Sequence, residues 1–248
     1  MAGHSKWANI RHRKGAQDAK RGKIFTKLIK EITVSVKTGG GPDLDSNPRL
    51  RAAVQSAKGQ NMPKDNIARA IAKASGADGA DYTETTFEGY GPDGVAVMVE
   101  CATDNNNRTV ANIRMHFNKF NGALGKDGCL QFIFDHKGVF MIEKGELDED
   151  ELTMELIDAG ADDFESEEDM LLVYTEMSDF GSVQKRLGEL EIEAKEASLQ
   201  RIPNMTKPIA ERHIPTFLKL IDALEDDEDV QNVYHNADVD EEILEKYM

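Results

Sequence analysis

The sequence predicts an α+β multidomain protein. An N-terminal three-helix bundle is followed by two ferredoxin-like α/β sandwich domains, the second inserted in the first. Three observations lead there. Apolar residues recur at helical spacing, between caps and glycine stops, through the first 78 residues. From residue 138 the pattern runs β-α-β-β-α-β, the order of a split βαβ sandwich. The segment before it, residues 82–135, reads β-β-α-β and lacks one helix and one strand, which the α-β pair of the tail supplies. The expected domains are therefore 1–78, then 79–137 together with 204–240, with 138–203 inserted between them.

Residues 1–22 are polar and basic, punctuated by Gly3, Gly15 and Gly22, and carry the only Trp, Trp7. They read as an extended or partly helical arm. Residues 23–37 form an amphipathic helix. Ile24, Leu28, Ile32 and Val36 fall at i, i+4 spacing beside Phe25 and Ile29, and Lys20, Lys23, Lys27, Lys30 and Lys37 fall on the other half of the wheel. Gly39-Gly40-Gly41-Pro42 stops that helix. Asn47-Pro48 opens a second, with Asn as cap and Pro at the first helical position, and turns Leu50, Ala53, Val54 and Ala57 inward. A third begins at Met62-Pro63-Lys64-Asp65, carries Ile67, Ala70, Ile71 and Ala74 inward, and ends near Gly76. Residues 76–80 are the linker.

Beyond the linker, strands are expected at 82–90 and 95–102 around the turn Gly91-Pro92-Asp93-Gly94. A helix follows at 108–120, then a strand at 130–135, a turn at His136-Lys137-Gly138 and a strand at 139–143. Helices at 148–159 and 180–190 flank a strand pair, 163–167 and 170–176. A strand near 193–199 precedes the closing helix, 209–224, and strand, 230–235.

Charge divides the chain more sharply than any motif. The formal net charge is -16 over 248 residues. Residues 1–78 nevertheless hold sixteen Lys and Arg against six Asp and Glu, a surplus of ten positive charges, and the remainder carries a surplus of twenty-six negative ones. Only the N-terminal part can face a polyanion, because an acidic body repels phosphate. The candidate nucleic-acid-binding residues are Lys6, Trp7, Arg11, Arg13, Lys14, Lys20, Arg21, Lys23, Lys27 and Lys30. Lysine and arginine on phosphate release counterions, so such binding is salt-sensitive and largely indifferent to sequence. The arm's Arg side chains can also grip phosphate bidentately. Trp7 would stack on a base or serve as a buried anchor. The plainer reading of the same segment is a solvated helix face that aids solubility.

Catalytic chemistry finds little support, and no catalytic residue, metal or cofactor is expected. The six His are scattered without ligand spacing, and Cys101 and Cys129 form no Cys-x-x-Cys pair. Cysteine usage fits a reducing cytoplasm. Gly39-Gly40-Gly41 lacks the Gly-Lys-Ser/Thr of a phosphate loop and reads as a helix stop. Asp104-Asn105-Asn106-Asn107-Arg108 reads first as a turn and helix cap, and otherwise as a polar recognition loop. The acidic runs 146–151, 162–169 and 225–229 read as solvated faces or helix N-termini, since none has calcium-loop spacing. Phe132 and Phe134 alternate on a strand and could stack bases, but the core is the better reading. No apolar run of transmembrane length and no secretory signal core is present.

Four segments carry a resemblance: Ala2-Gly3-His4-Ser5-Lys6-Trp7-Ala8-Asn9-Ile10, Arg21-Gly22-Lys23-Ile24-Phe25-Thr26-Lys27-Leu28, Asn61-Met62-Pro63-Lys64-Asp65-Asn66-Ile67 and Thr103-Asp104-Asn105-Asn106-Asn107-Arg108-Thr109. In these the chain resembles the YebC-like family nearly end to end. The resemblance implies a helical domain followed by two α/β domains. It also implies a DNA-binding transcriptional regulator, while mitochondrial members of that family are described as translational activators and a ribosome-associated role has been proposed for bacterial ones. Asn121-Gly122-Ala123-Leu124 and Gly128-Cys129-Leu130 depart from the family's Gly-Gly pair and Gly-Ser-Val. Because the match begins at Met1, a bacterial cytoplasmic copy is the expectation. The expected partners are nucleic acid, DNA or ribosomal RNA, and the transcription machinery or the ribosome, with no membrane and no small-molecule substrate. An acidic protein-interaction adaptor is the remaining alternative.

Overall fold

In the N-terminal region the apolar periodicity and the caps build three helices: α1 (Asp18–Thr38), α2 (Pro48–Gly59) and α3 (Lys64–Ser75). The computed structural model describes residues 18–76, 81–167 and 169–239, with Ile243 and Lys246. The described chain groups into two units. One takes in the start of α1 up to Lys27, residues 81–135 and those from Ile202 on. The other takes in Leu28 onward through α3 and residues 136–201.

Helix α1 starts earlier than the periodicity suggests, at Asp18 rather than Lys23. From Ile32 to Val36 every residue is buried, so the last turns are enclosed all round rather than striped. Its end is joined to α2 by one side chain. Buried Asn47 caps α2 by accepting the Leu50 N–H at 2.9 Å, and its amide donates to the carbonyls of Ser35 and Gly41, each at 2.8 Å. Gly40 and Gly41, both at φ 105°, make the reversal that a side chain would resist. Gly39 leaves room for the cap, since a Cβ there would stand 2.5 Å from Asn47 Oδ1.

In the first unit, β1 (Thr83–Tyr90), β2 (Ala96–Thr103) and a short β3 (Ala123–Leu124) come first, with α4 (Asn106–Lys119) between β2 and β3.

In the second unit, β4 (Phe134–Glu143), α5 (Glu149–Asp158), β5 (Ala161–Ser166), β6 (Met170–Glu176), α6 (Phe180–Glu189) and β7 (Glu196–Pro203) give a sheet ordered β5-β6-β4-β7. Phe140, Ile142, Leu171 and Val173 alternate toward Leu152 and Leu156 of α5 and Val183 and Leu187 of α6, and Ala52 of α2 joins the same core. The rings of Phe140 and Phe180 stack at 4.7 Å.

Elements from the end of the chain complete the first unit. After a two-residue β8 (Lys207–Pro208) come α7 (Ile214–Glu225), β9 (Val230–His235) and β10 (Ala237–Asp238). The sheet runs β3-β1-β2-β9, with β2 antiparallel to both β1 and β9. Val95, Val97, Val99 and Cys101 form one face of the β2 segment. They pack on Ile113 and Phe117 of α4 and on Phe217, Leu220, Ile221 and Leu224 of α7. Ala96, Met98 and Ala102, which alternate with them, are buried as well, so β2 is enclosed on both faces.

One local expectation is overturned. The strand expected at 130–135 and the turn expected at 136–138 are instead a turn at 127–133 followed by one continuous strand, β4. Gly138 is a strand residue paired with Thr175, and a Cβ there would stand 2.6 Å from Cδ2 of Phe180. The glycine makes room for a ring, not for a bend.

Candidate nucleic-acid interface

Of the ten candidate residues, Lys6, Trp7, Arg11, Arg13 and Lys14 lie outside the described residues. For Lys20 and Arg21 only the helical backbone of α1 is described. The remaining three differ among themselves. Lys23 is exposed and meets exposed Asp226 at 3.0 Å. Such a pair is held loosely and leaves the amine open to a competing anion. Lys27 is committed: its amine donates at 2.8 Å to the main-chain carbonyl of Glu225. That carbonyl is at the C-terminal end of α7, where a cation is favoured by the helix dipole. Burial pulls the Lys27 ammonium below the usual lysine range, with Glu225 opposing the shift. Lys30 is only 7% exposed. The expected stripe of lysines facing solvent is therefore reduced, within the described part of α1, to Lys23 and Lys37.

The acidic run 225–229 gathers partners within the first unit. Asp229 is 4% exposed and accepts from Arg108 Nη2 at 2.8 Å and from the Thr109 hydroxyl at 2.9 Å. The Thr109 and Thr103 hydroxyl oxygens lie 2.8 Å apart, and Asn112 donates to Asp227 at 3.2 Å. Asn105 caps α4 by accepting the Arg108 N–H at 3.1 Å. The solvated-face reading of 225–229 is corrected for Asp229 alone, which is buried because α4 supplies donors that replace its water, whereas Asp226 and Glu228 remain exposed. For 104–108 the capping reading holds. The guanidinium of Arg108 spans Asp104 and Asp229, and the hydrogen bonds to Asp229 and then Asp104 raise its pKa.

The aromatic pair separates as well. Phe134 begins β4 and is 4% exposed, whereas Phe132 lies in the preceding turn at 80% exposure. They are not alternate residues of one strand, and the core reading holds for Phe134 alone.

Cations outside the ten candidates are better placed. Lys58 on α2 and Lys64, Arg69 and Lys73 on α3 are exposed and make no ion pair among the described residues. Arg69 and Lys73 stand one turn apart on α3, the helix whose opposite side buries Ile67, Ala70 and Ala74. The signal that could have found them was the apolar face of α3, which fixes where its cations point. Among the described residues no group of three or more His, Cys, Asp and Glu is arranged to hold a metal. No described helix is long and apolar enough to cross a membrane.

Two antiparallel sheets backed by helices, with a basic helical segment preceding them in sequence, define the class: a mixed α/β protein. The family model described as TACO1/YebC protein N-terminal domain matches residues 5–77, and that described as TACO1/YebC second and third domain matches residues 82–237. The chain belongs to the TACO1/YebC family. A protein of Amoebophilus asiaticus named "Probable transcriptional regulatory protein" is 55% identical over 95% of this chain and 98% of its own length. One of Geobacter sp. strain M21, also named a probable transcriptional regulatory protein, is 51% identical over the whole of both chains. The crystal structure of a conserved hypothetical protein from Aquifex aeolicus matches with a TM-score of 0.84 and 41% identity. It covers 96% of this chain and 99% of that one.

Proposed function

We propose that the protein is a non-enzymatic, nucleic-acid-binding regulator of gene expression, acting in the cytoplasm as a DNA-binding transcriptional regulator. The observation that carries this reading is the charge reversal: ten surplus positive charges in residues 1–78 and twenty-six surplus negative charges after them. The relatives' names support the regulatory part. The exposed cations of α2 and α3, which make no ion pair among the described residues, support a phosphate partner. The three-part division 1–78, 79–137 with 204–240, and 138–203 belongs to the same proposal, with both sandwiches ferredoxin-like and the second inserted in the first. The basic part docks and the acidic parts remain available to a protein partner.

A second reading, binding to ribosomal RNA in aid of translation, is favoured by one observation. The outer face of α3 presents Ala68 and Ala72 between its charged residues, with few side chains able to read base edges. Specificity would then come from the shape of a structured RNA. Crosslinking in cells followed by sequencing of the bound nucleic acid separates the two. Promoter DNA is the expected catch under the first reading and ribosomal RNA under the second. Enrichment of neither would refute both and leave the acidic adaptor.

A further inference from the structure

Helix α5 of the second unit leaves one apolar side uncovered. Leu152 and Leu156 turn into the core, and Glu155 reaches toward α6, where Arg186 Nε donates to it at 3.0 Å. Met154 and Ile157, on the side that remains, are 63% and 53% exposed. They stand three residues apart and therefore share a face of the helix. Exposed Met177 lies in the turn 177–179, next to the end of α5: Asp179 of that turn sits so close to Gly160 that a Cβ on the glycine would meet its Cβ at 2.8 Å.

The charge around this apolar pair has one sign. Helix α5 carries five carboxylates and no cation. Glu149 meets Lys144 at 3.3 Å, and Glu155 meets Arg186. Asp150, Glu151 and Asp158 are exposed and make no ion pair among the described residues. Asp150 and Glu151 stand one turn before Met154 and Asp158 one turn after it, so acids bracket the apolar pair along the helix. The two at the start answer the positive end of the helix dipole. Asp158 has no such reason. It is the last residue of α5, where the dipole disfavours a carboxylate, and no base in the last turn offsets it.

We propose that this face of α5 docks a lysine- and arginine-rich amphipathic helix of a partner protein. The partner's apolar stripe seats on Met154 and Ile157. Its cations reach Asp150 and Glu151 at one end and Asp158 at the other. Charge complementarity selects this occupant, because an acidic helix is repelled and a purely apolar one leaves three carboxylates without counter-charge at the rim. The unbranched Met154 side chain adapts to the shape of what it meets. The inference rests on that part of the reading above in which the acidic portion serves a protein partner, and it is independent of the nucleic-acid part.

The test uses the full chain and three labelled peptides of about 18 residues, or five helical turns. One is an amphipathic helix of leucine and lysine, the second has glutamate for lysine, and the third keeps lysine but has glutamine for leucine. Fluorescence anisotropy is expected to show tight binding of the first only. Met154→Gln with Ile157→Gln is expected to weaken it about tenfold or more, with an unaltered melting temperature because both side chains are exposed. Asp150→Asn, Glu151→Gln and Asp158→Asn together are expected to weaken it by about the same factor and to flatten its salt dependence. Removing three charges at exposed Asp127, Asp135 and Glu193 is expected to do neither. Equal binding of the lysine–glutamine peptide overturns the proposal, since the acidic body as a whole would then be the attractant. So does binding that neither α5 variant weakens, or no binding at all. Self-association of the unmodified chain that Met154→Gln with Ile157→Gln abolishes would seat a second copy on α5 and overturn the partner helix. Affinity for duplex DNA and structured RNA is expected to be the same in the α5 variants as in the unmodified chain, and its absence from both refutes the nucleic-acid reading without touching this one.

Discussion

Asp93 closes a turn with one side chain. It lies in the turn Pro92–Gly94 at φ 58°, a left-handed conformation that Asp tolerates better than most residues. Its carboxylate accepts the Ala210 N–H at 2.9 Å and meets His213 Nδ1 at 2.7 Å. The Ala210 bond, and then His213, hold the Asp93 carboxyl below the usual range. A folded pKa below the unfolded value of about 3.9 gives stability that is present above about pH 4 and lost as pH falls through the lower folded value. Carbon-detected NMR titration should therefore place the Asp93 carboxyl below about 3.9, and Asp93→Asn should remove that part of the acid dependence. An Asp93 midpoint at or above the ordinary value would contradict the assignment. The motif Asp-Gly suggested a turn, but nothing adjacent in sequence pointed to a residue 117 positions away.

Helix punctuation was legible because its causes are local. Asn47-Pro48 carries its own cap, and Gly40-Gly41 its own reversal. Strand β4 was not legible at residues 136–138, because His-Lys-Gly resembles a turn and the reason for the glycine is Phe180, forty-two positions on. Gly138→Ala tests that reason directly. The added methyl meets Phe180 and the Thr175 hydroxyl, so a loss of about 1–3 kcal/mol in urea unfolding is expected. A true turn glycine in open space would show far less. The lysines of α1 teach the same lesson. A helical wheel separates polar from apolar faces, yet it cannot show that Lys27 ends on the last carbonyl of α7.

For the molecule as a whole, charge works at two levels that a variant series can separate. Neutralising Lys58, Lys64, Arg69 and Lys73 should lower affinity for duplex DNA or structured RNA. The slope of log affinity against log salt should fall by about 0.7–0.9 for each phosphate that is no longer neutralised, without a change in melting temperature. Neutralising Lys27 should do the reverse, lowering stability while leaving the salt slope in place. Unchanged slopes in the first set, with Lys6, Arg11, Arg13, Lys14, Lys20 and Arg21 also replaced, would remove the basis for phosphate binding. The candidate site was thus partly readable. The excess of cations in residues 1–78 is a sequence fact, whereas the division between cations that hold the fold and cations that face solvent is not.

By itself the sequence determined most of the element types, the helix stops and caps, the polarity of the two parts and the family. Each of these depends on residues within a few positions of one another or on a simple count. Only the tertiary structure decided that Asp229 is buried among donors from α4, that Phe132 is exposed while Phe134 is not, and that Lys27 and Lys30 are withdrawn from solvent. The physical reason is common to all of them. Burial and hydrogen-bond partnership are set by what arrives from distant parts of the chain, and no spacing within a single element encodes that.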